Sequence, residues 1–156
     1  MKNMFSGCLL EKLNLSNFDT NNVTDMSGMF SKCFALKKIY LSNFNTDNVE
    51  NMNFLFKYCH SLEQLNLSNF NISNVLDMYH MFYRCSSLKE LNLYNFNSSK
   101  VNNMYHMFLG CSSLKKINAS GFNTRNVIDM NHMLYGCSSL EELDLHSFHT
   151  DNNLSI

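Results

Sequence analysis

Residues 74–99 read NVLDMYHMFYRCSSLKELNLYNFNSS, and the rest of the chain is a set of variations on this stretch. Moved forward by two periods of 26 residues, it lands on Asn126–Met130, Cys137, Leu140, Leu143, Leu145 and Phe148. Moved back by one, it lands on Val49, Met52, Phe56, Cys59, Leu62, Leu65, Leu67 and Phe70. The six cysteines, Cys8, Cys33, Cys59, Cys85, Cys111 and Cys137, follow at intervals of 25, 26, 26, 26 and 26 residues, with one residue missing between Cys8 and Leu10. Self-similarity at a fixed period of roughly 20–50 residues marks a stacked repeat architecture. The unit is N-V-x-x-M-x-x-M-F-x-x-C-x-S-L-x-x-L-x-L-S-x-F-N-T-x.

Two periodicities alternate within a unit. Val49, Met52, Leu55, Phe56 and Cys59 recur at three- and four-residue spacing, which predicts one face of a short helix. Asn22, Asn74 and Asn126 precede that run, with Asp25, Asp77 and Asp129 three residues on, the pattern of a capped first turn. The period then changes to two in Leu65-x-Leu67, Leu91-x-Leu93 and Leu143-x-Leu145, a strand with one face buried. The column Phe18, Phe44, Phe70, Phe96, Phe122 and Phe148 closes the return side, and the asparagine-, serine- and threonine-rich stretches after it are turn chemistry. One such unit cannot offset its own chain entropy, so stability has to come from the interfaces between units.

Stacking in register also arranges the charges. Glu11, Lys37, Glu63, Lys89, Lys115 and Glu141 form one column of largely alternating sign, which favours this register over a slipped one. The cysteines form another column. Parallel strands stand about 4.8 Å apart, within reach of a disulfide, but side chains pointing the same way have the wrong geometry for one. Six reduced, buried thiols acting as small hydrophobes are expected.

The chain has 156 residues, 45% of them apolar, no proline and a net charge of −1. That supports one domain over residues 1–156 and gives no electrostatic reason to expect nucleic acid. No run reaches the ~18 apolar residues of a membrane span, so no transmembrane segment is expected, and no signal peptide is visible at Met1–Cys8. Met1 aligns with Met26 and Met4-Phe5 with Met29-Phe30, and Leu154-Ser-Ile156 has no following Met-Phe half. The chain therefore reads as a fragment of a longer protein, and its uncapped end rungs predict fraying at Met1–Leu10 or end-to-end self-association.

Val23-Thr-Asp-Met-Ser-Gly-Met-Phe30 and Met107-Phe-Leu-Gly-Cys-Ser-Ser-Leu114 resemble the BspA-like leucine-rich-repeat surface proteins, in particular the mycoplasma-lipoprotein type of repeat with its N-V-x-D-M-x-x-M-F-x-x-C-x-S-L signature. The likeness covers essentially the whole chain. It implies a curved solenoid displayed at a cell surface or outside the cell and engaged in adhesion, with a host matrix or cell-surface protein as partner. It carries over no catalytic residue, because the matching positions are core or turn positions.

The expected fold is thus a right-handed leucine-rich-repeat-like α/β solenoid of about six 26-residue rungs, each with a short parallel strand and a short helix. Function falls to the surface columns. On the strand face these include Lys38, Gln64, Glu90 and Lys116, then Tyr40, Asn66, Asn92 and Asn118, then Tyr94, polar and aromatic ladders that suit protein recognition. On the helix side Phe54, His80, His106 and His132 form a column flanked by Tyr79 and Tyr105. A straight histidine ladder offers no convergent tetrahedral geometry, so neither metal nor cofactor is expected. Cysteine catalysis is disfavoured because the thiols are buried and unactivated. The leading function is a non-enzymatic protein-binding module of a surface adhesin or lipoprotein. The alternative is an intracellular scaffold or a truncated repeat fragment.

Overall fold

The structure, a computed structural model, describes residues 1–149. The expectation for the last turn into Leu154–Ile156 lies outside the described residues. Five three-residue strands occur in it: β1 (Lys12–Asn14), β2 (Lys38–Tyr40), β3 (Glu90–Asn92), β4 (Lys116–Asn118) and β5 (Glu142–Asp144). All pairs are parallel and offset by one repeat, Leu13 facing Ile39, Leu91 facing Ile117, and Ile117 facing Leu143. The middle residue of each strand points inward and its neighbours outward, as alternation requires. The result is a stack of rungs in which every apolar column of the unit becomes a continuous core, from Met26, Phe30 and Cys33 to Met130 and Met133.

The helix expected in each rung is absent: no helix occurs among the described residues. In its place, consecutive turns lie across the stack. Met29 N–H donates to Met26 C=O, Ser31 to Gly28 and Cys33 to Phe30, while the intervening amides of Met26, Gly28, Phe30 and Lys32 donate to Asn51, Asn53, Leu55 and Lys57 of the next rung. Half of the amides thus close local turns and half join rungs. The backbone permits this because two residues of each rung, four apart, take a positive φ. One such column is Gly28, Phe54, His80, His106 and His132, and the other is Lys32, Tyr58, Arg84, Gly110 and Gly136. These are third positions of i→i+3 turns, where a type II turn carries a positive φ, and a right-handed helix tolerates none of them. The capping box is corrected with the helix. Asp25 Oδ1 accepts the amide of Ser27, and Asn51, Asp77, Asn103 and Asp129 do the same two residues on. These are local side-chain turns. They line a second parallel ladder, Asp25–Asn51–Asp77–Asn103–Asp129.

The side chains continue this coupling between rungs. Phe5, Phe30, Phe56, Phe82 and Phe108 stack with nearly parallel rings at 5.9, 5.3, 5.8 and 5.5 Å. Each thiol from Cys33 to Cys137 donates to the carbonyl of a phenylalanine in the preceding rung, Cys59 to Phe30 and Cys85 to Phe56 at 3.1 Å. All six cysteines are free; four are buried, and Cys8 and Cys137, in the outer rungs, are only partly so. On the return side a buried hydroxyl does the same work. Thr46 Oγ1 donates to Asn71 C=O and accepts the Asn71 amide, both at 2.8 Å. Thr20, Ser98 and Thr124 repeat the pattern. Ile72 takes that place in the third rung.

The expectation of one strand per rung also needs correction. Gln64–Asn66 is not a strand, and the sheet is divided into β1–β2 and β3–β4–β5. The charge column survives the division, with ion pairs Glu11–Lys37, Glu63–Lys89 and Lys115–Glu141.

Candidate functional site

The strand face presents its charged column to solvent: Lys38, Gln64, Glu90 and Lys116 are all exposed. Tyr40 and Tyr94 stand out from it, 49% and 56% exposed. The asparagine column behaves differently from the sequence expectation. Asn66, Asn92 and Asn118 accept the amides of Ser68, Tyr94 and Ser120 through Oδ1, at 3.0, 3.3 and 3.2 Å. Their side chains therefore turn the chain out of the strand and leave only the amide nitrogens to face a partner. Tyr40 replaces asparagine in the second rung and leaves this structural role vacant.

Between Tyr40 and Glu90 the face opens into a groove of about 650 Å³ lined by Lys38, Ile39, Tyr40, Gln64, Leu65 and Asn66 of the second and third rungs and by Glu63, Lys89, Glu90 and Asn92 around its far rim. Leu65 is only partly buried, whereas Leu13, Ile39, Leu91 and Ile117 in the same column are buried. Within the described residues, no backbone group of Gln64, Leu65 or Asn66 meets a partner in a neighbouring rung. The nearest surviving ladder bond is Lys89 N–H to Glu63 C=O, at 3.4 Å.

The turn side gathers the second set of residues, but much of it faces inward. His80 is buried, 8% exposed. It stacks on Tyr79 at 3.9 Å and lies against Tyr83, Phe54 and His106. Tyr79 stacks in turn on Tyr105 at 5.5 Å. His80 Nε2 and His106 Nδ1 are 2.9 Å apart and share a hydrogen bond, while His80 Nδ1 is buried without a partner. A buried N–H left unpaired is costly, which places the His80 proton on Nε2 with Nε2–H donating to His106. Burial, the Lys57 ammonium and His106 together pull the His80 pKa down to about 4. Burial and His132 also lower that of His106. His132 is exposed.

Sequence reading missed Lys57, whose Nζ lies over the rings of Phe54, Tyr58 and Tyr83 at 4.7, 5.2 and 5.2 Å. Its column holds Tyr83 and Leu109 in the following rungs, so the repeat alone does not mark it. Burial pushes the thiol pKa of Cys59, Cys85 and Cys111 well up, and that of Cys137 to about 11. Among the described residues no group of three or more histidine, cysteine or carboxylate side chains could hold a metal ion, and no helix is long and apolar enough to cross a membrane.

Among solved structures, the chain is similar to a leucine-rich-repeat protein from T. pallidum, with a TM-score of 0.50 and 18% identity over 89% of this chain and 69% of that one. It also aligns with a leucine-rich cell surface protein from Faecalibacterium prausnitzii A2-165, with a TM-score of 0.26 and 14% identity over 90% of this chain and 61% of that one. No curated protein matches it. The first likeness supports the leucine-rich-repeat class of fold. The model of one family, described as Mycoplasma protein of unknown function, DUF285, matches residues 1–119 and 86–156. The repeat signature, the stacked parallel rungs and this match together make the chain a member of that family of BspA-like leucine-rich repeats.

Proposed function

We propose that the chain is a non-enzymatic protein-recognition module, carried by a protein displayed at the cell surface as an adhesin or lipoprotein, and that it binds through its strand face. One observation supports this most directly. Tyr40, exposed on the paired backbone of β2, lines an open groove within a ladder of polar groups, and Tyr94, exposed on a backbone locked by Asn92, stands on the same face. Tyrosines presented on a rigid frame are the side chains on which interface energy concentrates. The turn side is the weaker choice because His80, at the centre of its aromatic cluster, is committed to packing.

The partner is a protein, such as a host matrix or host cell-surface protein. Purified chain is tested against immobilised collagen, fibronectin and laminin by biolayer interferometry. A protein that binds should lose at least about tenfold in affinity when Tyr40→Ala and Tyr94→Ala are combined, as for loss of hot-spot residues. Tyr105→Ala, on the turn side, should leave the affinity unchanged. Loss with Tyr105→Ala and none with the double variant would move the binding surface to the turn side.

A further inference from the structure

The groove at the third rung has a chemistry that the side-chain columns do not describe. Lys38 and Tyr40 direct their main-chain groups to β1, as the Lys38 N–H to Glu11 and Leu15 N–H to Tyr40 bonds show. Alternation then turns the N–H and C=O of Ile39 toward the third rung, where the amides and carbonyls of Gln64, Leu65 and Asn66 are likewise unpartnered among the described residues. Beyond them lies the edge of β3, whose pairing is with β4. A row of unpaired strand groups is a template for another strand, and here it sits in the middle of a sheet rather than at its end.

The return side of the same rung stays joined to the next, where Asn95 Nδ2 donates to the carbonyls of Leu67, Ser68 and Phe70, although one bond of the column is lost. Ile72 has no hydroxyl to hold Asn97, whose amide bonds instead to Asn95 C=O. The buried stacks Phe30–Phe56–Phe82 and the thiol bonds of Cys59 and Cys85 keep the rungs together behind the opening. The opening is therefore confined to the strand face.

From these observations we infer that the third rung is a docking slot for an extended segment of the partner polypeptide, held by main-chain hydrogen bonds to Ile39 and to Gln64–Asn66. This rests on the strand face being the recognition surface. The occupant follows from the groups it must satisfy. Donors and acceptors alternating at strand spacing are matched by a peptide backbone, as in recognition by strand addition. Lys38 belongs to none of the ion pairs among the described residues, so the segment carries an acidic side chain opposite it. The exposed Tyr40 ring calls for an aromatic or β-branched residue two positions on. Glu63 and Lys89 neutralise one another at the rim and set no charge requirement.

The full chain is titrated with acetyl-Thr-Glu-Val-Tyr-Thr-amide, with the same peptide N-methylated at alternate residues, and with a version carrying lysine for glutamate. Amide shifts and hydrogen exchange are read residue by residue. In the free protein the amides of Gln64, Leu65 and Asn66 should exchange fast and those of Leu91 and Ile117 slowly. The first peptide should shift Ile39 and Gln64–Asn66 and slow their exchange by about tenfold or more, and the N-methylated peptide should do neither. Lys38→Glu should reverse the preference between the glutamate and lysine peptides. Protection of Gln64–Asn66 in the free protein equal to that of Leu91 would overturn the slot. So would equal binding of the N-methylated peptide, or concentration-dependent protection without peptide, which would make a second copy the occupant. If the Tyr40/Tyr94 double variant abolishes binding to a matrix protein while no peptide binds, the slot falls and the strand-face reading stands. If the peptide binds as described and no matrix protein does, the slot stands and that choice of partner falls.

Discussion

The turn side and the strand side of this solenoid carry the same repeat but hold their rungs together differently. On the turn side the ladder is unbroken: Phe30 N–H donates to Leu55, Phe56 to Met81, Phe82 to Met107 and Phe108 to Met133, all at 2.9–3.0 Å. Stacked phenylalanines and thiol–carbonyl bonds run in parallel with it. The strand side has only three residues per rung to pair, and at Gln64–Asn66 it does not pair them. A long, redundant ladder fixes the stack, and the short one is then free to open at one rung without the fold coming apart. Binding segments are commonly drawn from the less stable part of a structure, and the recognition proposed for the strand face fits that pattern.

The sharpest way to break this comparison is to cut the redundant side. Phe82 is fully buried between Phe56 and Phe108, and Phe82→Ala should cost about 3–5 kcal/mol in denaturant melts, enough to unfold a domain of ordinary stability. On the strand side the expectation depends on the rung. Leu91 is 2% exposed, and Leu91→Ala should cost about 2–5 kcal/mol. The partly buried Leu65, truncated in the same way, should cost clearly less. Equal losses would mean that the third rung is closed in solution.

The hydroxyl column sharpens the point on the return side. Thr46→Val leaves both main-chain groups of Asn71 without their partner and should cost about 1–3 kcal/mol by thermal or chemical denaturation. The turn side should also show an acid limb. His80 has a pKa near 4 in the folded chain against about 6.5 when unfolded, so the unfolded state binds more protons between those values. Stability from this group is intact above about pH 6.5 and declines as pH falls toward 4. His80→Asn, compatible with the positive φ there, should flatten that part of the stability–pH curve, and an unchanged slope would remove His80 as its source. The smallest effect is expected at the rim. Lys89 is exposed and paired with Glu63 at 3.4 Å, and Lys89→Ala should change stability by no more than about 0.5 kcal/mol.

Much of this is legible in the chain. The 26-residue spacing alone places Phe82, Cys85 and Leu91 in buried columns and Lys89 beside Glu63. The helix is a misreading, because apolar residues spaced three and four apart face one way both in a helix and in consecutive turns. One signal against it is present: Gly28, Gly110 and Gly136 stand at two positions four residues apart in the unit, and both positions carry a positive φ. At the strand face the spacing correctly puts Tyr40 and Tyr94 outside, but it makes the asparagines beside them look like free surface when their oxygens hold the following turn.

The sequence by itself determined the period, the parallel register and the inward-facing columns. Those depend on which residues recur, and burial of apolar surface in a stack selects only one alignment of the repeats. Tertiary structure alone decided which carbonyl each amide meets. Met26 and Met29 share a segment, yet one amide bonds to the next rung and the other closes a turn. Gln64–Asn66 has the strand pattern of its neighbours, yet pairs with neither. Hydrogen-bond partners across a solenoid come from a neighbouring rung about 26 residues away, and the position of that rung is a property of the packed stack rather than of the local sequence.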